Sequence, residues 1–204
     1  MPHHAAGAVA SSARESSIPA VWPGAFCPNF SDWAAGDIVV VHRHPGIAGF
    51  VLQAGQLLST KPLTVLGSHM THVGIYVADG MMVDATLGRP IGEVSVWNYC
   101  QTRSVQVRRI VDPAITPAQI ADIAFKARAH VGESYSTLAL IASKLWPGTK
   151  PQRKSLYCST FVGLVVADAT GVDLSSSPDH QPLYPATLGM HPDLTDVLVE
   201  WRSL

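Results

Sequence analysis

Cys158 carries the side chain of this sequence that is best suited to nucleophilic chemistry. It stands at the start of an apolar run that predicts a helix ending at Gly171. The first turn of a helix has backbone N–H groups without intrahelical partners and a partial positive charge, which favour a thiolate and can hold an oxyanion. Because most cysteines serve only in packing, a nucleophile also requires a base within reach.

His72 is the best candidate for that base among the nine histidines. It starts the otherwise apolar stretch Thr71–Val77, which predicts a strand. The end of a strand can hold an imidazole that is rigid and partly buried, as a general base requires. The alternative interpretation is a core histidine whose ring is satisfied by a backbone carbonyl.

Asp84 is the candidate third member, because a histidine base is usually oriented by a further polar group. It lies on the strand that is predicted to return after a tight turn. A three-residue loop over 78–80 would place Asp84 diagonally opposite His72 on one face of the hairpin, whereas a two-residue loop would place them on opposite faces. Gly80 suits the left-handed position of the longer loop. Glu93 is the reserve for this role.

The remaining pattern predicts an α+β fold, with most strands before the helices and an antiparallel sheet of about five to six strands packed against those helices. Strands are predicted at Ile38–His42, Thr71–Val77, Met81–Ala85, Ile91–Trp97, Val105–Ile110 and Val197–Trp201. Helices are predicted over 47–59, from Pro117 to Gly132 behind a Thr116-Gln119 capping box, over 134–145, and from Cys158 onward.

Four segments carry a resemblance to a known family, and they are Gly36–Val40, Thr71–Tyr76, Gly132–Ser136 and Tyr157–Val162. In this order they resemble the circularly permuted NlpC-type papain-like cysteine hydrolases, and the YiiX/YebB-like group in particular. Histidine precedes cysteine here, as in that permuted branch and in the related lecithin:retinol acyltransferase-like enzymes. The resemblance spans about residues 35–192 and includes a closing segment at Tyr184–Leu188.

The resemblance implies a permuted papain-like fold and a cysteine peptidase or amidase-type hydrolase that needs no cofactor and no metal. It implies that Cys158 is the nucleophile, His72 the base and Asp84 the third residue of the triad. It assigns substrate contacts to Tyr76, Tyr135, Tyr157 and Ser159. Tyr157 stands where classical members of the family carry an aspartate that is associated with substrate binding.

Several classes of function remain open at this point. An amide in a peptide or peptidoglycan-like substrate is the favoured target, and lipid acyl hydrolysis or acyl transfer is the alternative, because the apolar stretch 137–142 follows Tyr135. A non-catalytic binding module on the same fold would carry a Cys158 of ordinary reactivity. A metal site is a further rival, but its possible ligands have no acidic or cysteine residue adjacent to them. Those ligands are His42, His44, His69 and His72.

Composition limits the other possibilities. The chain has 204 residues, of which 47% are hydrophobic and 14% charged, and its net charge of −1 argues against a nucleic-acid-binding surface. We expect a leader without structure over 1–30 and one domain over 31–204. The three widely spaced cysteines show no disulfide or metal pattern, and no apolar stretch is long enough to span a bilayer. We therefore expect a cytoplasmic protein, or export by a route without a classical signal peptide.

Overall fold

A six-stranded antiparallel sheet forms the centre of the fold. The computed structural model describes residues 24, 26–42, 69–86, 89–133, 157–174 and 183–203. Its strands are β1 (Phe26–Pro28), β2 (Ile38–His42), β3 (Met70–Ala78), β4 (Met81–Asp84), β5 (Gly92–Ser95), β6 (Ser104–Ile110), β7 (Leu194–Val197) and β8 (Trp201–Ser203). The large sheet has the order β5-β4-β3-β2-β6-β7, and β1 pairs with β8 in a separate two-stranded sheet. The predicted α+β class and the number of antiparallel strands are confirmed.

Four α-helices accompany the sheet in the described residues. They are α1 (Trp97–Cys100), α2 (Pro117–Ala129), α3 (Tyr157–Thr170) and α4 (Pro185–Gly189), and a 3-10 turn covers Phe30–Asp32. Helices α2 and α3 pack against each other and against β3. None of the helices in the described ranges is long and apolar enough to cross a membrane.

Strand β2 is buried on both faces because the sheet carries a hydrophobic cluster on each side. Its apolar run alternates between the two clusters, so that Val40 faces the cluster with α2 and α3. Val39 faces a second cluster, which contains aromatic residues. An unbroken apolar strand is the expected sequence for such a position. This double burial holds the centre of the sheet rigid next to β3, the strand that carries His72.

Helices α2 and α3 begin and end close to where the sequence predicts. Thr116 and Gln119 form the predicted capping box, with Pro117 at the first turn. Helix α3 ends before Gly171, which has a φ of +78° and so suits the left-handed conformation that follows many helices. Cys158 is the second residue of α3, as expected for a cysteine at a helix N-terminus.

The β3–β4 turn differs from the prediction. The connection is a two-residue turn at Asp79-Gly80 rather than a three-residue loop, and both residues have positive φ, 50° and 73°. This is the combination that the tight turns of hairpins require, and Asp-Gly is a favoured pair for it. The positive φ predicted for Gly80 is confirmed, whereas the predicted loop length is wrong.

A bulge in β3 compensates for the shorter turn. The register shifts between Tyr76 and Ala78, which inserts one extra residue on that strand. Gly74 therefore pairs with Asp84, which is the register that the three-residue loop would have produced. As a result Asp84 still lies on the same face of the hairpin as His72.

Other predictions need correction or lie outside the described residues. The predicted strand at Val197–Trp201 is wrong, because β7 ends at Val197 and β8 begins at Trp201 in the other sheet. The strand predicted over Ile91–Trp97 is shorter, and the helix α1 follows it directly. Strand β1 lies within the range assigned to the leader. The helices predicted over 47–59 and 134–145 lie outside the described residues.

Candidate active site

His72 and Asp84 form a hydrogen-bonded pair across the β3–β4 hairpin. His72 Nε2 lies 2.8 Å from Asp84 Oδ2, and the Asp84 side chain is completely buried, whereas the His72 side chain is 14% exposed. A buried carboxylate held against an imidazole fixes the orientation of the ring and supports its positive charge. The contact is possible because His72 and Asp84 lie on the same face of the hairpin, as an orienting aspartate requires.

Asp84 is anchored by donors on three further side chains. The Tyr99 hydroxyl donates to Oδ2 at 2.5 Å, and Thr86 Oγ1 donates to the same oxygen at 3.2 Å. The Arg89 guanidinium donates to Oδ1 at 2.5 Å. These donors satisfy a charge that would be very costly to bury alone.

The protonation state of Asp84 follows from this environment. Burial favours the neutral acid, but the hydrogen bond to His72, the charge on that ring, and the Tyr99 and Arg89 contacts outweigh it and lower the pKa of Asp84. The carboxylate is therefore ionised at neutral pH. Burial, and secondarily the bond to Asp84, raise the pKa of Tyr99, so its hydroxyl remains a proton donor.

Cys158 approaches the same imidazole from the first turn of α3. The residue is 8% exposed, and its interaction with His72 is one of the causes that raise the pKa of that imidazole. The imidazole of His72 thus interacts with the Asp84 carboxylate, to which it is hydrogen-bonded, and with Cys158.

The charge on His72 is stabilised from both sides. Burial disfavours the imidazolium, but the hydrogen bonds with Asp84 and Cys158 and their negative charges overcome this effect and raise the pKa of His72 to about 9. At neutral pH the ring is therefore protonated and can donate to both neighbours. An imidazolium beside a cysteine favours the reactive thiolate form.

Two glycines lie on either side of Asp84. Gly74 is its partner in β3, and Gly92 is its partner in β5. A Cβ at residue 74 would lie 2.8 Å from the carbonyl oxygen of Val83 and 3.2 Å from the Cβ of Asp84. The absence of a side chain at residue 74 therefore avoids a clash with the backbone of Val83 and crowding against Asp84.

Tyr76 and Ser159, two of the residues expected to contact substrate, are held by contacts within the fold. Tyr76 is buried, packs against Phe30 and Trp33, and its hydroxyl accepts a hydrogen bond from the backbone N–H of Gly80. Ser159 is completely buried, and its hydroxyl donates to the carbonyl of Leu183. Both side chains are bound within the fold, and contact with substrate stays a prediction for them.

Tyr135, Tyr157 and Glu93 are the remaining predicted site residues. Tyr135 and the side chain of Tyr157 lie outside the described residues. Glu93 forms an ion pair with Arg128 on α2, with oxygen–nitrogen distances of 3.1 and 3.2 Å, and it pairs with Val83 rather than Asp84 in the sheet. Asp84 and not Glu93 is therefore the carboxylate that contacts His72.

Sequence reasoning missed Tyr99, Arg89 and Thr86. Tyr99 lies on α1, a helix of only four residues that the strand-like sequence before it concealed. Arg89 lies on the β4–β5 connection and reaches back to Asp84. Of these three residues, only Thr86 could have been suspected from the sequence. It lies two positions after Asp84, and its hydroxyl is a donor for a carboxylate that needs donors.

A metal site finds no support in the described part of the chain, where no group of three or more histidine, cysteine or acidic side chains could hold an ion. Of the histidines considered for such a site, His44 lies outside the described residues. His72 is instead bound to Asp84. His42 is buried in β2, and desolvation lowers its pKa to about 4.

Comparison of the sequence with models of protein families finds no match, and a search of curated proteins finds no similar protein. What the site can do is therefore inferred from its own geometry and chemistry.

Proposed function

We propose that this chain is a cysteine-dependent hydrolase that cleaves an amide bond in a peptide or peptidoglycan-like substrate through an acyl-enzyme. The observation that carries the proposal is the hydrogen bond of His72 to the buried Asp84 carboxylate, together with the interaction of the same imidazole with Cys158 at the start of α3. A nucleophile, a base and a group that orients the base form the minimum arrangement for this chemistry.

The first half of the reaction forms the acyl-enzyme. The proton of the Cys158 thiol rests on His72, and the thiolate attacks the carbonyl carbon of the substrate. The oxyanion that develops accepts hydrogen bonds at the first turn of α3, where the backbone N–H of Cys158 lacks an intrahelical acceptor. The partial positive charge of the helix N-terminus supports the same negative charge.

The second half releases the products. His72 gives its proton to the leaving amine as the C–N bond breaks, which leaves the acyl group on the sulfur. The neutral imidazole then takes a proton from a water molecule, which attacks the thioester and regenerates the thiolate. Asp84 holds the ring in one orientation throughout and stabilises each imidazolium state.

A permuted papain-like fold is part of the proposal. Support comes from the order of His72, Asp84 and Cys158 along the chain, from the antiparallel sheet and from the cysteine at the start of a helix packed on that sheet. These features agree with the resemblance to the permuted NlpC-type hydrolases. The same order is found in the acyltransferase-like relatives, so the leaving group must be decided by experiment.

The test is a substrate panel with trapping of the intermediate. Purified protein is incubated with peptide amides, muropeptides and phospholipid esters, quenched in acid and analysed by mass spectrometry. We expect an acyl adduct on Cys158 with an amide substrate, and loss of both adduct and turnover in Cys158→Ala, with no loss in the matched control Cys27→Ala. Turnover of esters alone would transfer the assignment to lipid acyl chemistry, and turnover that survives in Cys158→Ala would exclude the proposed nucleophile.

A further inference from the structure

Two cationic groups compete for the Asp84 carboxylate. His72 contacts Oδ2 at 2.8 Å, whereas Arg89 contacts Oδ1 at 2.5 Å through a single nitrogen. A guanidinium prefers to bind both oxygens of a carboxylate through two parallel hydrogen bonds. The Arg89 side chain is 38% exposed, so it has room to move towards that arrangement. A rotation of the Asp84 carboxylate onto Arg89 would take Oδ2 away from His72.

Tyr99 opposes that rotation. Its hydroxyl donates to Oδ2 at 2.5 Å and lies 3.3 Å from His72 Nε2, so it sits at the point where the carboxylate and the imidazole meet. Its ring also stacks on the imidazole, with ring centroids 5.3 Å apart and an angle of 29° between the planes. One side chain therefore contacts both members of the pair at the same time.

We propose that Tyr99 is a positioning residue, whose hydroxyl holds Asp84 Oδ2 against His72 and prevents the carboxylate from turning onto Arg89. The proposal deepens the function proposed above, because the positioned pair is the one that would activate Cys158. Tyr99 lies on a short helix outside the hairpin, and its role would be to keep His72 and Asp84 of the hairpin in contact.

The charged and titratable groups around His72 come from several elements of the fold. Asp84 lies on β4, Cys158 on α3 and Tyr99 on α1, while Arg89 lies on the β4–β5 connection. The guanidinium of Arg103 lies 5.2 Å from the centroid of the Tyr99 ring, on the same short stretch of chain. The pKa of His72 is therefore the most direct measure of a change at Tyr99.

The experiment compares the effect of Tyr99→Phe in the wild-type protein and in the Arg89→Met variant. The pKa of His72 is measured by NMR titration of its ring protons, with the resonance assigned from its absence in His72→Gln. Tyr76→Phe is the matched control, because it also removes a buried tyrosine hydroxyl, but one that contacts Gly80. Iodoacetamide alkylation of Cys158 at neutral pH provides a second readout.

We expect Tyr99→Phe to move the pKa of His72 from about 9 towards its ordinary value of 6.5 and to slow the alkylation of Cys158 about tenfold. Tyr76→Phe should leave both readouts unchanged. Arg89→Met alone should keep the pKa of His72 high, and in that background Tyr99→Phe should have less than half of its effect, because no guanidinium competes for the carboxylate.

Three results would overturn the proposal. They are an unchanged His72 titration in Tyr99→Phe, an equal effect of Tyr99→Phe with and without Arg89, and a lowered pKa of His72 in Arg89→Met alone. The titration requires no substrate, so a failed substrate screen would count against hydrolysis and leave this result to stand by itself. Conversely, an unchanged titration in an active hydrolase would remove the role of Tyr99 only.

Discussion

Gly74 lies directly opposite Asp84 in the β3–β4 ladder, and a Cβ at residue 74 would lie 3.2 Å from the Cβ of Asp84. Gly92 occupies the corresponding position on the other side, in β5. The two glycines differ in what a methyl group would meet. At residue 74 it would meet backbone and the Asp84 Cβ, whereas at residue 92 the nearest atom is the terminal Nη1 of Arg89, at 3.1 Å.

We therefore expect opposite outcomes for two single methyl additions. Gly74→Ala should lower the free energy of unfolding by about 1–3 kcal/mol, because its Cβ overlaps fixed backbone, and should displace Asp84 from His72. Gly92→Ala should be neutral or stabilising by up to about 1 kcal/mol, because the tip of Arg89 can move and alanine is better than glycine in a strand. Urea unfolding of both variants provides the measurement. Equal destabilisation would show that the space beside Asp84 is not specific to residue 74.

Asp84→Asn should keep the fold and lose most of the activity. The amide fills nearly the same volume, but it cannot stabilise the imidazolium and can select the wrong tautomer of His72, so we expect turnover to fall by about 10³–10⁴. Glu93→Gln is the matched control, since Glu93 contacts Arg128 at the surface and should leave turnover within about twofold. Steady-state kinetics on the substrate identified by the panel measure the turnover of both variants. Wild-type turnover in Asp84→Asn would show that Asp84 does not orient the base.

The three cysteines should differ sharply towards iodoacetamide. Burial raises the pKa of Cys100 to about 12, so its thiol should stay unmodified at neutral pH in the folded protein. Cys158 should react fastest, and its rate should drop at least tenfold in His72→Ala, because the imidazolium that favours the thiolate is lost. Cys27, which is partly exposed at the two-stranded sheet, serves as the internal reference. Peptide mapping after timed alkylation gives the three rates, and equal rates at Cys27 and Cys158 would speak against activation.

Stability should depend on the protonation of His72 in a defined pH window. Its pKa is raised from 6.5 to about 9 in the folded state, so its contribution is fully present below pH 6.5 and is lost as the pH rises through 9. The difference in unfolding free energy between wild type and His72→Gln should therefore shrink from pH 6 to above pH 9. His42 acts in a separate window, because its lowered pKa of about 4 makes its contribution disappear as the pH falls from 6.5 towards 4. A pH-independent difference would mean that His72 is not paired as a cation.

The hairpin that carries the base shows what could be predicted and why. Gly80 signalled a residue with positive φ, and the requirement that His72 and Asp84 share a face fixed the register. The sequence could not show whether the odd residue lay in the loop or in a bulge, because both give the same pairing of Gly74 with Asp84. Local patterns therefore predicted the relation between the side chains better than the path of the backbone.

The side chains around the pair depended on packing that no local pattern reports. Tyr76 and Ser159 are polar residues beside predicted motifs, but the former fills an aromatic cluster and the latter binds the carbonyl of Leu183. Tyr99 reaches Asp84 only because α1 folds back from the end of β5. Contacts of this kind are decided by the tertiary arrangement, which is why the carboxylate that contacts His72 was predicted and its anchors were not.

His72 and Asp84 belong to one hairpin, whereas Cys158 lies in a distant part of the chain. Contacts within a hairpin close a short loop, but bringing α3 onto β3 closes a very long one, and that entropy must be overcome before the contact is gained. The sulfur therefore meets its base only when helix and sheet have docked. A chain that is still emerging or incompletely folded would carry an ordinary thiol, and the acylation proposed above would begin only with the finished fold.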